Sequence, residues 1–231
     1  MNYIKKLKFG KLYSSEKIKE DIIKKISKAY RINSRYFNET YLDLKFVICT
    51  SEEEWKRESK YYYFPFGVGT VLRDGTFVIK NLDSVENERD DFEEVIVHEM
   101  NHVFFAKKFG LTKPVWIQEG MANYVSKQPK PIEKKELLRK IKKENINSKV
   151  IAYRYLKRNF STREKIILTY SIWYHFIDFL NKNQNKRDFL VRFMDEYIKN
   201  PSLTNYNMLF KKHFRNSLNK LYLEFLCWLE K

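Results

Sequence analysis

The sequence predicts an α+β fold: a small mixed sheet and one long helix in an N-terminal lobe of about residues 1–110, then an all-helical C-terminal lobe of about 111–231. Three observations predict it. Alternating and β-branched stretches are confined to the first 80 residues, apolar positions at helical spacing dominate the rest, and no repeat or low-complexity tract breaks the chain. At 231 residues, 43% hydrophobic and 16% aromatic, the chain can bury a sizeable core and reads as one domain of two lobes.

The elements follow in order. From Ser15 to Tyr30 the apolar positions Ile18, Ile22, Ile23, Ile26 and Tyr30 lie three or four apart between lysines, which predicts an amphipathic helix. Residues Tyr41 to Cys49 alternate and then become continuously apolar, as in a strand buried on one face and then on both. Thr50 or Ser51 then caps a short acidic helix over Glu52 to Arg57. Two β-branched stretches, Gly67 to Leu72 and Thr76 to Lys80, flank Arg73-Asp74-Gly75, a hairpin signal. A helix over about 91–108 carries Asp90, Asp91, Glu93 and Glu94 at its start and Gly110 beyond its end. Pro114 opens a short helix containing Trp116 to Tyr124, and further helices are expected near 132–143, 164–182, 186–199 and 214–230.

The formal charge of +16 favours acidic partners, but the lysines are spread along the chain, which argues against nucleic acid as primary partner. Cys49 and Cys227 have no metal-binding spacing and read as two buried thiols. Lysines interrupt the N-terminal residues where a secretory signal would be apolar. The longest runs free of charge, 61–72 and 166–177, hold 12 residues each, whereas a span needs about 20. The expectation is therefore a cytoplasmic protein without a membrane span; its oligomeric state is left open. The aromatic run Tyr61 to Phe66 reads as core before groove.

Within the 91–108 helix lies His98-Glu99-Met100-Asn101-His102, an H-E-x-x-H pattern. Imidazoles four residues apart differ by about 40° around the axis and can chelate one metal, with Glu99 close enough to act as a base. A catalytic zinc commonly takes three protein ligands. The pattern that adds a third histidine is excluded, because Phe105 and Lys108 stand at its glycine and histidine positions. His175 and His213 lie far along the chain and read as ordinary. Sixteen residues separate His102 from Glu119, a carboxylate among apolar residues, in a stretch carrying Trp116, Gly120, Ala122 and Tyr124.

This stretch resembles the W-x-x-E-G-x-A-x-Y signature of the gluzincins, metallopeptidases whose third ligand is a glutamate on a following helix, and in particular their peptidase MA-like members. The resemblance extends upstream through Ser51 to Trp55 and Thr76 to Lys80 and covers about residues 40–180. It implies a zincin-like fold, a Zn2+ cofactor held by His98, His102 and Glu119, and a general base at Glu99. It also implies a tyrosine donor for the reaction's oxyanion, which falls on Tyr170, with Tyr174 and His175 as alternatives. Two departures matter. Phe66 to Leu72 lacks the acid of the aminopeptidase G-x-M-E-N segment, and Asn123 stands where thermolysin-like relatives have an aspartate that orients a ligand histidine.

The resulting expectation is a zinc-dependent peptidase acting on a peptide or protein that lies extended against an edge strand at Thr76 to Lys80. The competing expectations are a noncatalytic zinc-stabilised protein and a basic nucleic-acid-binding protein on a degenerate peptidase scaffold. Peptide deformylase shares H-E-x-x-H, but its E-G-C-L-S segment is absent here.

Overall fold

The computed structural model describes residues 3–60, 68–80, 92–110, 114–152, 162–184 and 189–231. The chain divides into two compact units, Met1–Lys108 and Phe109–Lys231. The first is α+β, and the described elements of the second are all helices.

In the first unit, β1 (Tyr3–Leu7) and β2 (Gly10–Ser14) form an antiparallel hairpin absent from the sequence expectation. Lys5, Lys6, Lys8 and Lys11 lie among its apolar residues, charges that suit an outer strand by discouraging edge pairing. β2 runs parallel to β3 (Leu44–Cys49), joined by the crossover helix α1 (Glu20–Phe37). Gly10 faces Leu44 so closely that a Cβ would stand 2.0 Å from the Leu44 carbonyl oxygen, so only glycine fits this register. α1 starts and ends later than expected. Glu20 and Asp21 open it, and its buried stripe runs on through Asn33 to Phe37, where the polar Asn33 had masked the periodicity.

Helix α2 (Glu52–Ser59) is capped by Ser51, whose side chain accepts from Glu54 N, and drops Trp55 onto Val47, Cys49 and Val78. The opposite sheet face carries Phe46 and Phe77, with Phe9 stacked on Tyr30 of α1 and edge to face with Phe46. Both faces being covered explains the continuous apolar run of β3.

The hairpin at Arg73-Asp74-Gly75 is present. β4 (Gly69–Val71) pairs antiparallel with β5 (Phe77–Lys80), Asp74 accepts from Thr76 N, and Gly75 takes the left-handed conformation at φ +80. The sheet order is β1-β2-β3-β5-β4. This corrects the edge assignment: β5 pairs with β3 on one side and β4 on the other, all four of its residues are buried, and β4 is the outer strand. The expected start of the next helix at Asp90 and Asp91, and the Tyr61 to Phe66 run, lie outside the described residues.

Helix α3 (Phe92–Phe109) closes this unit, and Gly110 beyond it has φ +75. A buried amide pair locks it on α1. Asn33 donates to the carbonyls of Ala29 and Val97, and Asn101 donates to Asn33 Oδ1 at 2.9 Å.

In the second unit, α4 (Val115–Ser126) begins after Pro114, and α5 (Lys134–Lys143) leads to a 3₁₀ turn at Ser148–Ile151. The 21-residue α6 (Arg163–Asn183), capped by Thr162, is the central helix against which α4, α5, α7 (Phe189–Tyr197) and α9 (Leu218–Leu229) pack. α8 (Leu203–Phe214) was not expected from the sequence. Ser202 caps it, Arg215 ends it at φ 57, and Ser217 caps α9, so the single helix expected near 214–230 begins only at Leu218. The expected start of α7 at 186 lies outside the described residues.

The two cysteines differ. Cys49 is buried, and burial, with Glu54 and Glu58 nearby, pushes its thiol up to about 12, whereas Cys227 is exposed, contrary to the expectation of two buried thiols. No helix among the described residues is long and apolar enough to cross a membrane.

Candidate metal centre

The first half of the candidate centre is built on α3. The Asn33–Asn101 pair fixes the rotation of this helix, with Asn101 fully buried between His98 and His102 in sequence. His98 is 5% exposed and His102 half-buried. Their Nε2 atoms stand 3.2 Å apart, and the rings meet edge to face at 80°. Two rings held edge to face with both Nε2 atoms converging are an arrangement that two imidazoles chelating one cation can adopt.

Glu99, the residue after His98, is half-buried and lies against the outer strand β4. A Cβ on Gly69 would come within 2.4 Å of Glu99 Cγ and 2.9 Å of its Cδ. Gly69 is thus the residue that makes room for the carboxylate. Sequence reading missed it, although an isolated glycine in a strand is itself a sign of close approach.

The second half lies on α4 and α6. Glu119 is 3% exposed, and Tyr170 donates its hydroxyl hydrogen bond to Glu119 Oε2 at 2.9 Å. Each residue of the Trp116 to Tyr124 signature has a packing reason in this unit. Trp116 donates to Tyr206 Oη at 2.8 Å, which itself donates to the Ile151 carbonyl. Gly120 lets α4 approach α6, since a Cβ there would stand 2.7 Å from Ile177 Cδ1 and 3.2 Å from Trp173 Cβ. Ala122 is fully buried, and the Tyr124 ring rests on Tyr174.

No family model and no curated protein match this chain. The chemistry therefore rests on the residues themselves.

His98, Glu99 and His102 come together in the first unit, and Glu119 and Tyr170 come together in the second. The Tyr174 ring lies against those of Tyr124 and His175. Burial raises the Tyr174 phenol above its ordinary value, with Asp178 and Tyr124 adding to the effect. His175 points Nε2 at the Ile132 carbonyl, 2.8 Å away, and burial lowers its pKa, holding it neutral. His213 pairs with Glu196 at 3.3 Å. Asn123, which stands where thermolysin-like proteins have an aspartate, is 1% exposed, and neither of its amide atoms meets a hydrogen-bond partner among the described residues.

Proposed function

We propose that this chain is a zinc-dependent peptidase of the zincin-like, gluzincin type, with His98, His102 and Glu119 holding the metal and Glu99 as general base. The observation that carries the reading is the 3.2 Å separation of the two Nε2 atoms. Two zinc–nitrogen bonds of about 2.0–2.1 Å at a tetrahedral angle set their nitrogens about 3.3 Å apart.

The donor chemistry fits as well. Two neutral imidazoles and one carboxylate are a catalytic-zinc donor set that leaves one position open. On this reading His98 and His102 of the first unit supply the imidazoles and Glu119 of the second the carboxylate. A cation also offsets the cost of keeping the Glu119 carboxylate at 3% exposure.

The ion, when bound, supplies Lewis acidity that acidifies water and polarises a carbonyl. Glu99 takes the proton of the attacking water and passes it to the leaving amine. An extended peptide adds to the outer strand β4 through main-chain hydrogen bonds, beside Glu99. The net charge of +16 favours acidic peptides.

Elemental analysis tests the centre directly. After equilibration with zinc and dialysis, the native chain retains about one equivalent, while His98→Ala and Glu119→Ala retain no stoichiometric zinc, because a three-residue site loses a ligand. Native-like zinc content in both variants would sink the reading.

A further prediction uses Gly69. The methyl group of Gly69→Ala occupies the space of Glu99 Cγ, and since that neighbour is a movable side chain, Glu99 turns away while the fold adapts. Turnover is expected to drop about 10²-fold, the usual cost of a misplaced reacting group, with zinc content unchanged. Steady-state kinetics beside metal analysis check this, and full activity in Gly69→Ala argues against Glu99 acting from where it stands.

A further inference from the structure

The geometry points to Tyr170 as a positioning residue that holds the Glu119 carboxylate, in place of the oxyanion-donor role expected for it. The inference rests on the metal reading above and deepens it.

A phenol has one proton to donate. The Tyr170 hydroxyl gives that proton to Glu119 Oε2 at 2.9 Å, so it cannot give the same proton to an oxyanion while the bond stands. The bond is not a chance surface contact. Its partners are 51 residues apart, and one of them is 3% exposed. The Tyr170 ring stacks on Trp173 with centroids 5.5 Å apart and planes 28° apart. Trp173 is fully buried and tied to the Val150 carbonyl through Nε1 at 2.8 Å. On the other side, Gly120 holds the backbone of α4 close to α6, next to Glu119 itself. Both ends of the hydrogen bond are thus fixed by packed core. Holding Oε2 removes rotational freedom that the glutamate would otherwise lose on binding a cation.

The test is Tyr170→Phe, which keeps the ring and its stacking and removes only the hydroxyl, with the thermal unfolding midpoint as a control for folding. Zinc affinity is measured against a chromophoric chelator, and the visible absorption of bound Co2+ reports ligand geometry. The expected result is a zinc Kd weaker by about 10–100-fold and an altered Co2+ spectrum, with turnover at saturating zinc within about tenfold of the native value. An unchanged Kd and Co2+ spectrum overturns the proposal. If turnover at saturating zinc has then fallen by about 10²–10³-fold, Tyr170 is an oxyanion donor instead. Glu119→Ala, measured alongside, separates the two levels of failure. If it loses zinc while Tyr170→Phe binds normally, only the role of Tyr170 falls, whereas normal zinc binding by Glu119→Ala removes the metal centre itself.

Discussion

Glu99→Gln is expected to lower peptide turnover by about 10²–10⁴-fold and to leave bound zinc unchanged. The amide has the shape of the carboxylate and keeps the half-buried packing against Gly69, so neither α3 nor β4 has reason to move. It lacks basicity, and no proton can leave the attacking water by that route. His98 and His102 sit on the same helix, one on either side of Glu99 in sequence, and their 3.2 Å convergence does not depend on the carboxylate. A loss of about 10³-fold corresponds to about 4 kcal/mol of transition-state stabilisation, well beyond what a packing change at a half-buried position produces. The measurement is turnover of a diverse peptide mixture by native and variant protein at matched zinc content. Equal cleavage by the two would leave the ion a purely structural part, the reading under which Glu99 is replaceable.

The half of the candidate centre on α3 was legible because it is local. His98, Glu99 and His102 are set by the helical repeat alone, and that helix announces itself through the acidic residues at its start, Glu93 and Glu94 among them, and through Gly110, which takes φ +75 beyond its end. The Ser51 cap and the Arg73-Asp74-Gly75 hairpin are local in the same sense. What was not legible depends on residues far apart in the chain. That β5 is an inner strand follows from its parallel pairing with β3, about thirty residues upstream, and nothing within Thr76 to Lys80 distinguishes an inner strand from an outer one except continuous burial. The approach of Gly69 to Glu99 and the bond from Tyr170 to Glu119 are likewise long-range facts. Two other misses had local signals. The β1–β2 hairpin was hidden by lysines that suit an outer strand, and α8 had a readable start in Pro201-Ser202 followed by Tyr206, Leu209 and Phe210 at helical spacing.

The largest stability effect is expected at Trp173. Trp173→Ala should destabilise the second unit by about 3–5 kcal/mol, because a fully buried indole leaves both a cavity and lost transfer energy behind. Three contacts converge on this one side chain. Its Nε1 satisfies the Val150 carbonyl in the 3₁₀ turn, its Cβ faces the gap that Gly120 opens in α4, and its ring carries Tyr170. Trp173→Phe separates the terms. It keeps most of the apolar volume and removes the donor, so the Val150 carbonyl loses its partner, a loss of about 1–3 kcal/mol. Urea unfolding of native and variant chains, followed by far-ultraviolet circular dichroism, gives both values from the shift in midpoint. The ordering carries the argument, because a core that depends on the volume of Trp173 must lose more with alanine than with phenylalanine. Should the alanine variant shift stability by less than about 1 kcal/mol, α4 and α6 are not held together through Trp173. The rigid seat described for Tyr170 and Glu119 would then have to come from elsewhere in the unit.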